Sequence, residues 1–596
     1  MTLPQTNDLE ISTLRKAYLA GEITPETVFK KIAETASQYE EHNVWIYRLS
    51  EEELQSYFSR LADMNPADYP LWGIPFAIKD NIDLAGVPTT AGCKEFAYTP
   101  TQSATLVRNL IDAGAVPVGK TNLDQFATGL NGTRSPWGAC LNSHDSKYVS
   151  GGSSSGSAVA VALGMASFSL GTDTAGSGRV PAAFNHLVGL KPTCGLLSAK
   201  GVVPACKSLD TVSIFTKTGA DANLVLGCAE SYDQADPYSR ENVYGNSQRH
   251  FGQRQGALTI GVIPQHQLKF FDDDGYKKAY ESCVARLADS GVTLVEIDYD
   301  PFNEAALLLY EGPWVSERYI ATRSILESQP DAMYPVVRDI IIQGKTPLAT
   351  ELFEAQYRLS ALKQKCAQQL ASIDCLLTPT AGRLFTVEEM LDKPIERNSQ
   401  LGYYTNFMNL LDMAALAVPT DKTDSGLPFG VTLASFAFTD RALLSIAERI
   451  KPILQTDQLP VPDSVGKTDT IDVLVCGAHL SGMPLNWQLT ERGATLSETT
   501  KTSANYRFYA LTGSALGKPG LVADHENGVQ IEVEVWTIPA TEFGSFVADI
   551  PAPLGIGKVQ LEDGRMVSGF ICEPYGLEGA KDISDLGGWR AYQSSL

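Results

Sequence analysis

Short apolar runs alternate with longer amphipathic stretches along most of the chain before residue 455. Residues 115–119 form an apolar run that predicts a buried strand, and the helix-like segment TLVRNLIDAGA leads into it. Residues 259–264 predict another strand, residues 272–291 an amphipathic helix, and residues 292–300 a further strand. Strands that alternate with helices in this way predict an α/β sheet.

Two other stretches have a helical pattern. Thr24 and Pro25 precede an apolar-periodic run, which predicts a helix start with proline at the first helical position. Residues 303–370 have helical periodicity with few breaking residues.

Residues 143–195 are rich in glycine and serine, a composition that flexible linkers share. Long apolar runs interrupt this region in GSAVAVALGMASFSLGTD, which a linker would not contain. The pattern instead predicts a glycine-rich loop, an apolar helix and a strand.

The pattern changes near residue 455. The segment QTDQLPVPDSVGKTDT is polar and contains closely spaced proline and glycine, which predicts a linker. After it, VQIEVEVWTIP and MVSGFICEP are rich in β-branched residues. We therefore predict a large domain at residues 1–455, a linker at 456–470 and a small α+β domain at 471–596.

Composition narrows the class of protein. Hydrophobic residues make up 44% of the 596-residue chain and charged residues 19%, as in globular proteins. The net charge of -22 disfavours nucleic acid as a partner, since phosphate backbones would be repelled. The sequence shows no signal-peptide pattern and no apolar run of membrane-spanning length, so we expect no membrane association.

The ten cysteines are scattered singly and form no CxxC pair. This spacing predicts reduced thiols in a cytoplasmic protein and disfavours a zinc cluster.

The glycine- and serine-rich core also carries candidate chemistry. Amide hydrolysis needs a nucleophile, a base for its proton and donors for the oxyanion. His144 and His186 stand in no familiar nucleophile motif, and the chain lacks the GxSxG elbow. A lysine whose pKa is lowered by burial can replace histidine as the base.

Three motifs carry a resemblance to a known family. Residues 151–157 (GGSSSGS), 171–181 (GTDTAGSGRVP) and 73–80 (GIPFAIKD) resemble the glycine/serine, nucleophile and lysine motifs of the amidase signature family. Residues 121–126 and 189–193 are supporting matches, and the resemblance covers about residues 5–455. It implies an α/β fold with a mixed central sheet covered by helices.

The resemblance implies a role for each residue of a Ser-Ser-Lys triad. Ser177 would be the nucleophile, Ser153 the bridging serine and Lys79 the base. Backbone N–H groups would form the oxyanion hole, Asp173 would order their loop, and the Gly152–Ser153 peptide would be cis. The residues of that oxyanion hole would be Thr174, Ala175, Gly176 and Ser177.

Each motif alone has a simpler interpretation. A Gly/Ser run is usually a loop, a lysine after an apolar run is usually a surface strand end, and Asp173 alone would suit a helix cap. The joint pattern favours the triad.

Residues outside these motifs narrow the choice of substrate. Tyr310 and Arg318 in LYEGPWVSERY resemble the substrate-recognising pair of the allophanate hydrolase branch of the family, and the resemblance also assigns Gly129 to substrate binding. On one helix, their spacing would let two long side chains converge, and arginine suits a carboxylate. A surface arginine with a core tyrosine is the alternative.

The C-terminal region supports the same branch. Residues 476–486 (CGAHLSGMPLN) resemble the start of its accessory domain, which is similar to the gamma-glutamyl cyclotransferase fold, and residues 132–138 (GTRSPWG) also match. The implied reaction is hydrolysis of allophanate to ammonia and N-carboxycarbamate, whose decarboxylation this domain would assist through His479. A buried histidine satisfied by a backbone carbonyl is the alternative.

The resemblance implies neither metal nor organic cofactor. It implies a homodimer, a small-molecule substrate and urea carboxylase as a pathway partner in urea or s-triazine nitrogen use. Two rival hypotheses remain. One is another amidase of the family, such as a general amidase or the glutaminase subunit of a tRNA amidotransferase. The other is a catalytically dead binding protein.

Overall fold

The structure is a computed structural model that describes residues 9–242, 251–252, 257–456, 470–490, 492–512 and 518–595. The chain forms two compact units, which are described separately below. The larger comprises Met1–Asn242 and Leu258–Asp457, and the smaller comprises Val243–Ala257 and Gln458–Leu596. The predicted linker at 456–470 lies, apart from its two end residues, outside the described residues.

The larger unit is built on one sheet. Within the described residues it has eleven strands, in the spatial order β1 (Trp45–Arg48), β3 (Val116–Thr121), β2 (Pro75–Lys79), β4 (Phe168–Asp173), β6 (Thr211–Thr216), β5 (Val188–Lys191), β10 (Met413–Pro419), β11 (Gly430–Phe436), β9 (Cys375–Pro379), β7 (Thr259–Val262) and β8 (Thr293–Glu296).

The sheet is mixed. Strand β2 runs parallel to both β3 and β4, and β7 runs parallel to β8 and β9. In the spatial order from β4 to β9, each adjacent pair of strands is antiparallel: β4 with β6, β6 with β5, β5 with β10, β10 with β11, and β11 with β9. This arrangement confirms the predicted α/β class. Every residue of β2, β3 and β4 is buried, as expected for central strands covered on both faces.

Helices surround this sheet. They are α1 (Ile11–Leu19), α2 (Pro25–Gln38), α3 (Glu51–Ala62), α4 (Thr105–Asp112), α5 (Ser155–Ala162), α6 (Val180–Phe184), α7 (Gly219–Ala229), α8 (Asp274–Asp289), α9 (Asp300–Glu311), α10 (Val315–Ser328), α11 (Pro335–Ile341), α12 (Ala349–Leu370), α13 (Val387–Asp392), α14 (Glu396–Leu401), α15 (Phe407–Leu410) and α16 (Asp440–Leu454).

Several elements confirm the sequence patterns. Helix α2 begins at Pro25, and the Thr24 side chain accepts a hydrogen bond from the Thr27 N–H at its first turn. Strands β3, β7 and β8 and helices α4 and α8 lie where the apolar runs predicted them. The glycine- and serine-rich region yields α5 and β4 after a loop, also as predicted.

One prediction is wrong in its detail. The stretch 303–370 is not continuous helix, and Tyr310 and Arg318 do not share one helix. Helix α9 ends at Glu311, and α10 begins at Val315. The Gly312–Pro313 dipeptide accounts for the break, because proline removes a backbone donor and restricts the residue before it.

The smaller unit contains two sheets among its described residues. The five-stranded sheet has the order β13 (Thr495–Lys501), β16 (Glu532–Pro539), β12 (Thr470–Val475), β18 (Met566–Cys572) and β17 (Leu554–Gln560). The three-stranded sheet has the order β15 (Lys518–Ala523), β14 (Tyr506–Leu511) and β19 (Lys581–Asp582). Its helices are α17 (Trp487–Thr490), α18 (Ala540–Ala548) and α19 (Trp589–Ser594).

None of the helices in the described ranges has both the length and the apolar character that crossing a bilayer requires.

Candidate active site

Lys79 is the last residue of β2, and its side chain is completely buried. Its amine donates hydrogen bonds to Ser153 Oγ at 2.8 Å and to Thr172 Oγ1 at 2.7 Å. Both partners are neutral hydroxyls. Within the described part of the chain, no carboxylate forms an ion pair with this amine. The alternative of a lysine at a surface strand end is therefore wrong.

Burial lowers the pKa of Lys79 to about 7, because the charged ammonium loses its hydration inside the sheet. The carboxylates of Asp124, Asp210 and Asp173 act in the opposite direction and raise it, while Arg318 lowers it further. The result is an amine that is substantially neutral near pH 7, the state in which it can accept a proton.

Ser153 stands in the loop that precedes α5, and it is fully buried. The Gly152–Ser153 peptide bond is cis, as predicted. The Ser153 carbonyl accepts a hydrogen bond from the Asp124 N–H at 3.1 Å. Lys79 and Ser153, which are 74 residues apart in sequence, thus meet at the end of β2.

Ser177 lies in the loop between β4 and α6, and Asp173 organises that loop. The Asp173 carboxylate accepts from the N–H groups of Gly176 at 3.0 Å and Gly178 at 2.9 Å. It also forms a buried two-pronged ion pair with Arg179, with both contacts at 2.9 Å. Asp173 therefore orders the loop as predicted and does not simply cap a helix.

The Arg179 pair also fixes the charge of Asp173. Burial alone would raise the pKa of the Asp173 carboxyl, but the Arg179 guanidinium, with Lys191 and the Gly178 N–H, outweighs burial and holds this pKa below its usual range. Asp173 is therefore an anion at neutral pH, fully able to hold the loop.

The Gly176 N–H is already bound to Asp173, so it is not available to an oxyanion. Among the described residues, no hydrogen bond runs from the N–H groups of Thr174, Ala175 or Ser177 to another protein group. Gly176 has a φ of 140°, and a Cβ there would collide with the Thr405 side chain. Only glycine fits this turn of the loop.

Two further side chains hold the nucleophile loop. The Thr174 hydroxyl donates to the Asp210 carboxylate, which also accepts the Ala205 N–H at 2.7 Å. The Asn409 amide donates to the Asp173 carbonyl at 2.9 Å. Burial raises the pKa of Asp210 to about 6. The loop is thus anchored from the segment before β6 and from α15.

Arg318 and Tyr310 converge even though they stand on two helices. Arg318 is buried, and its Nη2 donates to the Tyr310 hydroxyl at 3.3 Å. Its Nη1 donates to the Ala127 carbonyl at 3.2 Å and to Thr128 Oγ1 at 2.9 Å. Within the described residues no carboxylate pairs with it. The alternative of a surface arginine is wrong.

Gly129 lies directly beside a buried carboxylate. A Cβ placed on Gly129 would lie 2.5 Å from Asp124 Oδ2, which leaves no space for any larger residue unless Asp124 moves.

His479 belongs to the smaller unit, where its ring stacks on Phe570 with centroids 5.0 Å apart. His479 Nε2 and Gln488 Oε1 are 2.8 Å apart. Its partner is therefore a side-chain amide and not the backbone carbonyl of the alternative interpretation. Burial lowers the pKa of His479, so the ring is neutral at neutral pH.

Sequence reasoning missed Thr172, Asp210 and Asn409. Thr172 lies inside the nucleophile motif and adjoins Asp173, so the motif itself offered a signal. Asn409 reaches the loop from 236 residues away, and no local pattern marks it. In the described part of the chain, no group of His, Cys, Asp and Glu side chains is arranged to hold a metal ion.

Comparison with known proteins gives two matches to family models. Residues 25–444 match the model described as Amidase, and residues 471–594 match the allophanate hydrolase C-terminal domain.

Similar proteins extend over both regions. Urea amidolyase of Saccharomyces cerevisiae is 45% identical over 587 residues, which cover 93% of this chain and 31% of that protein. This chain therefore spans less than a third of its curated relative. The allophanate hydrolase structure of Kluyveromyces lactis is 41% identical, with a TM-score of 0.74 and coverage of 97% and 98% of the two chains. A glutamyl-tRNA(Gln) amidotransferase chain of Chlorobium phaeobacteroides is 30% identical over 466 residues, which cover 74% of this chain and 97% of that one.

We predict that replacing Arg179 by Met destabilises the larger unit by about 3–5 kcal/mol, because Asp173 is left as a buried, uncompensated anion. The measurement is the midpoint of thermal unfolding. The double variant Arg179→Met/Asp173→Asn removes both charges and should recover part of the loss. An unchanged midpoint in the single variant would contradict the role given to the pair.

Proposed function

The chain belongs to the amidase family of amidohydrolases, and on that premise we propose that it hydrolyses allophanate with a triad of Ser177, Ser153 and Lys79. We propose residues 1–455 as the catalytic domain, 456–470 as a linker and 471–596 as an accessory domain. The match of residues 471–594 to the allophanate hydrolase C-terminal domain supports this choice of substrate over that of a general amidase.

The observation that carries the proposal is the charge of Arg318. This guanidinium is buried, and its two Nη atoms donate to a carbonyl and two hydroxyls. Burial lowers the pKa of Arg318, but the surrounding Tyr310, Cys206, Asp210 and Glu317 raise it overall, so the group stays a cation. Because no carboxylate forms an ion pair with it within the described residues, the site is suited to a ligand that brings its own negative charge. Allophanate, a small urea that carries a carboxylate, meets this requirement. We also propose Gly129 as a substrate-binding residue; its lack of a side chain lets Asp124 Oδ2 approach its backbone.

The proposed reaction begins with proton transfer. Neutral Lys79 accepts the Ser153 proton across their 2.8 Å contact, and Ser153 accepts the proton of Ser177. The Ser177 oxygen attacks the carbamoyl carbon, and the C–N bond breaks to release ammonia, which takes up the proton. Water then cleaves the carbamoyl-enzyme ester and releases N-carboxycarbamate.

The oxyanion that forms in each step needs donors placed in advance. The N–H groups of Thr174, Ala175 and Ser177 are our candidates. Gly176 is better described as a support, because its N–H holds Asp173.

The product N-carboxycarbamate loses carbon dioxide, so that the net products are ammonia and carbon dioxide. We propose that the accessory domain accelerates this step and that His479 takes part. The hydrogen bond from the ring to Gln488 fixes the ring orientation, which a proton-transferring imidazole requires.

We further propose a homodimer in the cytoplasm that uses the product of a urea carboxylase, within urea or s-triazine nitrogen use. The name of the yeast relative, urea amidolyase, supports the link to urea.

The triad is tested by pH dependence. We expect kcat/KM to rise with pH through about 7 and then level off, because only neutral Lys79 can accept the proton. Lys79→Met, which keeps the length of the side chain but has no amine, should have no measurable activity. Substantial turnover by this variant, or a parent profile that falls between about pH 6 and 8 while the protein stays folded, would contradict the assignment.

Arg318 is tested by comparing charged and neutral substrates. Arg318→Ala should lower kcat/KM for allophanate by about 10–150-fold, the effect of losing one charge-assisted hydrogen bond. The loss for a neutral amide should be small, since it has no carboxylate to bind. Equal losses would show that Arg318 supports the fold instead. Turnover of glutamine in preference to allophanate and malonamate would favour the tRNA amidotransferase alternative.

The role of His479 is tested by product timing. His479→Phe keeps a ring that can stack on Phe570 but removes the nitrogen atoms. We expect the first ammonia to appear at the parent rate while carbon dioxide lags behind it. Simultaneous release of both products at the parent rates would show that His479 serves only in packing.

A further inference from the structure

Asp124 is a fully buried carboxylate to which the proposed reaction gives no role. It lies just after β3, in the segment 121–126. Within the described residues no cation forms an ion pair with it. Its oxygens instead accept three backbone N–H groups, those of Asn131 at 3.2 Å, Gly132 at 3.0 Å and Arg134 at 2.9 Å.

The same residue contacts the loop that carries Ser153. The Asp124 N–H donates to the Ser153 carbonyl at 3.1 Å. A Cβ on Gly152 would collide with Asp124 Oδ2, and one on Gly129 would lie 2.5 Å from the same atom. Glycine on both sides is therefore what lets this carboxylate approach the backbone so closely.

We propose that Asp124 is a positioning residue for the Lys79–Ser153 pair, which it serves through the Ser153 main chain and through its own negative charge. This inference rests on the proposed function, in which Lys79 is the base. Asp124 acts on the reaction through these two residues and has no need to touch the substrate.

The geometry explains the first part of this role. Asp124 joins the Gly/Ser loop on one side to the 129–134 segment on the other, and all of its carboxylate hydrogen bonds are to main-chain N–H groups. The Ser153 backbone is thereby fixed where its hydroxyl meets the Lys79 amine at 2.8 Å.

The negative charge of Asp124 explains the second part of this role, its effect on the pKa of Lys79. The charged groups that face Lys79 are Asp124, Asp210, Asp173 and Arg318, and after burial Asp124 has the largest influence on the pKa of Lys79, which it raises. Removing this anion therefore lowers the pKa. A base with a lower pKa is neutral at lower pH but accepts a proton less readily.

The test is Asp124→Asn, which has nearly the same shape and no charge. We expect the midpoint of the kcat/KM profile to move to lower pH by about one unit. The plateau should fall by about tenfold or more, because the base is weaker and one carboxylate oxygen becomes an N–H₂ group that faces N–H donors. An unchanged midpoint, or a shift to higher pH, would overturn the inference.

Asp236→Asn is the matched control. Asp236 is also a buried carboxylate that accepts backbone N–H groups, those of Ala199 and Tyr238, and it is not among the charges with the largest effect on the pKa of Lys79. Its loss should lower the unfolding midpoint and leave the pH midpoint of the reaction unchanged. A merely structural role for Asp124 predicts this same outcome for Asp124→Asn.

Asp124→Glu separates charge from position. It keeps the anion but moves it, so the plateau should fall while the pH midpoint stays close to that of the parent. If Asp124→Asn yields no folded protein, Asp124→Ser is measured in the same way, since its hydroxyl can still accept one N–H group. A midpoint equal to the parent's in that variant overturns the inference.

The Lys79→Met variant distinguishes failure of the proposed function from failure of the inference about Asp124. Retained activity in Lys79→Met removes the proposed function itself. Loss of activity in Lys79→Met together with a parent-like midpoint in the uncharged Asp124 variant removes only the inference about Asp124.

Discussion

The candidate site depends on the desolvation of one amine. Lys79 ends a central strand whose neighbours are buried on both faces, so its ammonium form has no access to water. The contacts it finds there are two hydroxyls, which stabilise the charge less than a carboxylate would. The carboxylates of Asp124, Asp210 and Asp173, which form no ion pair with the amine, restore part of the stability that its charged form loses on burial. The balance between burial, which lowers the pKa of Lys79, and these carboxylates, which raise it, places that pKa at about 7.

The loops around the Lys79 amine are each held by a buried aspartate that accepts main-chain hydrogen bonds. Asp173, Asp124 and Asp210 each accept main-chain N–H groups that the loops would otherwise bury unsatisfied. Of these three, only Asp173 forms an ion pair within the described residues, with Arg179. Asp124 accepts only backbone N–H groups, and Asp210 accepts backbone N–H groups and the Thr174 hydroxyl. All three carboxylates raise the pKa of Lys79. The same carboxylates that shape the loops thus also tune the proposed base.

The sequence predicted the helices and strands better than the contacts between residues that are distant in sequence. Periodicity located β3, β7, β8, α4 and α8, because buried strands and amphipathic helices impose their own spacing. It did not reveal that Asn409 or Asp210 would hold the nucleophile loop, since such contacts depend on how distant segments pack. The break between Tyr310 and Arg318 was foreseeable from Gly312–Pro313, a dipeptide that punctuates helices. The apolar Trp314 and Val315 that follow continue the helical pattern and obscured it.

The break between α9 and α10 has a consequence for Tyr310 and Arg318, the proposed recognition pair. The phenol of Tyr310 and the guanidinium of Arg318 are carried by separate helices, α9 and α10, which residues 312–314 connect. An insertion or deletion in that connection would shift one of these proposed recognition groups relative to the other. Because the Arg318 guanidinium also lowers the pKa of Lys79, a change at the break would alter the amine as well as the proposed ligand contacts.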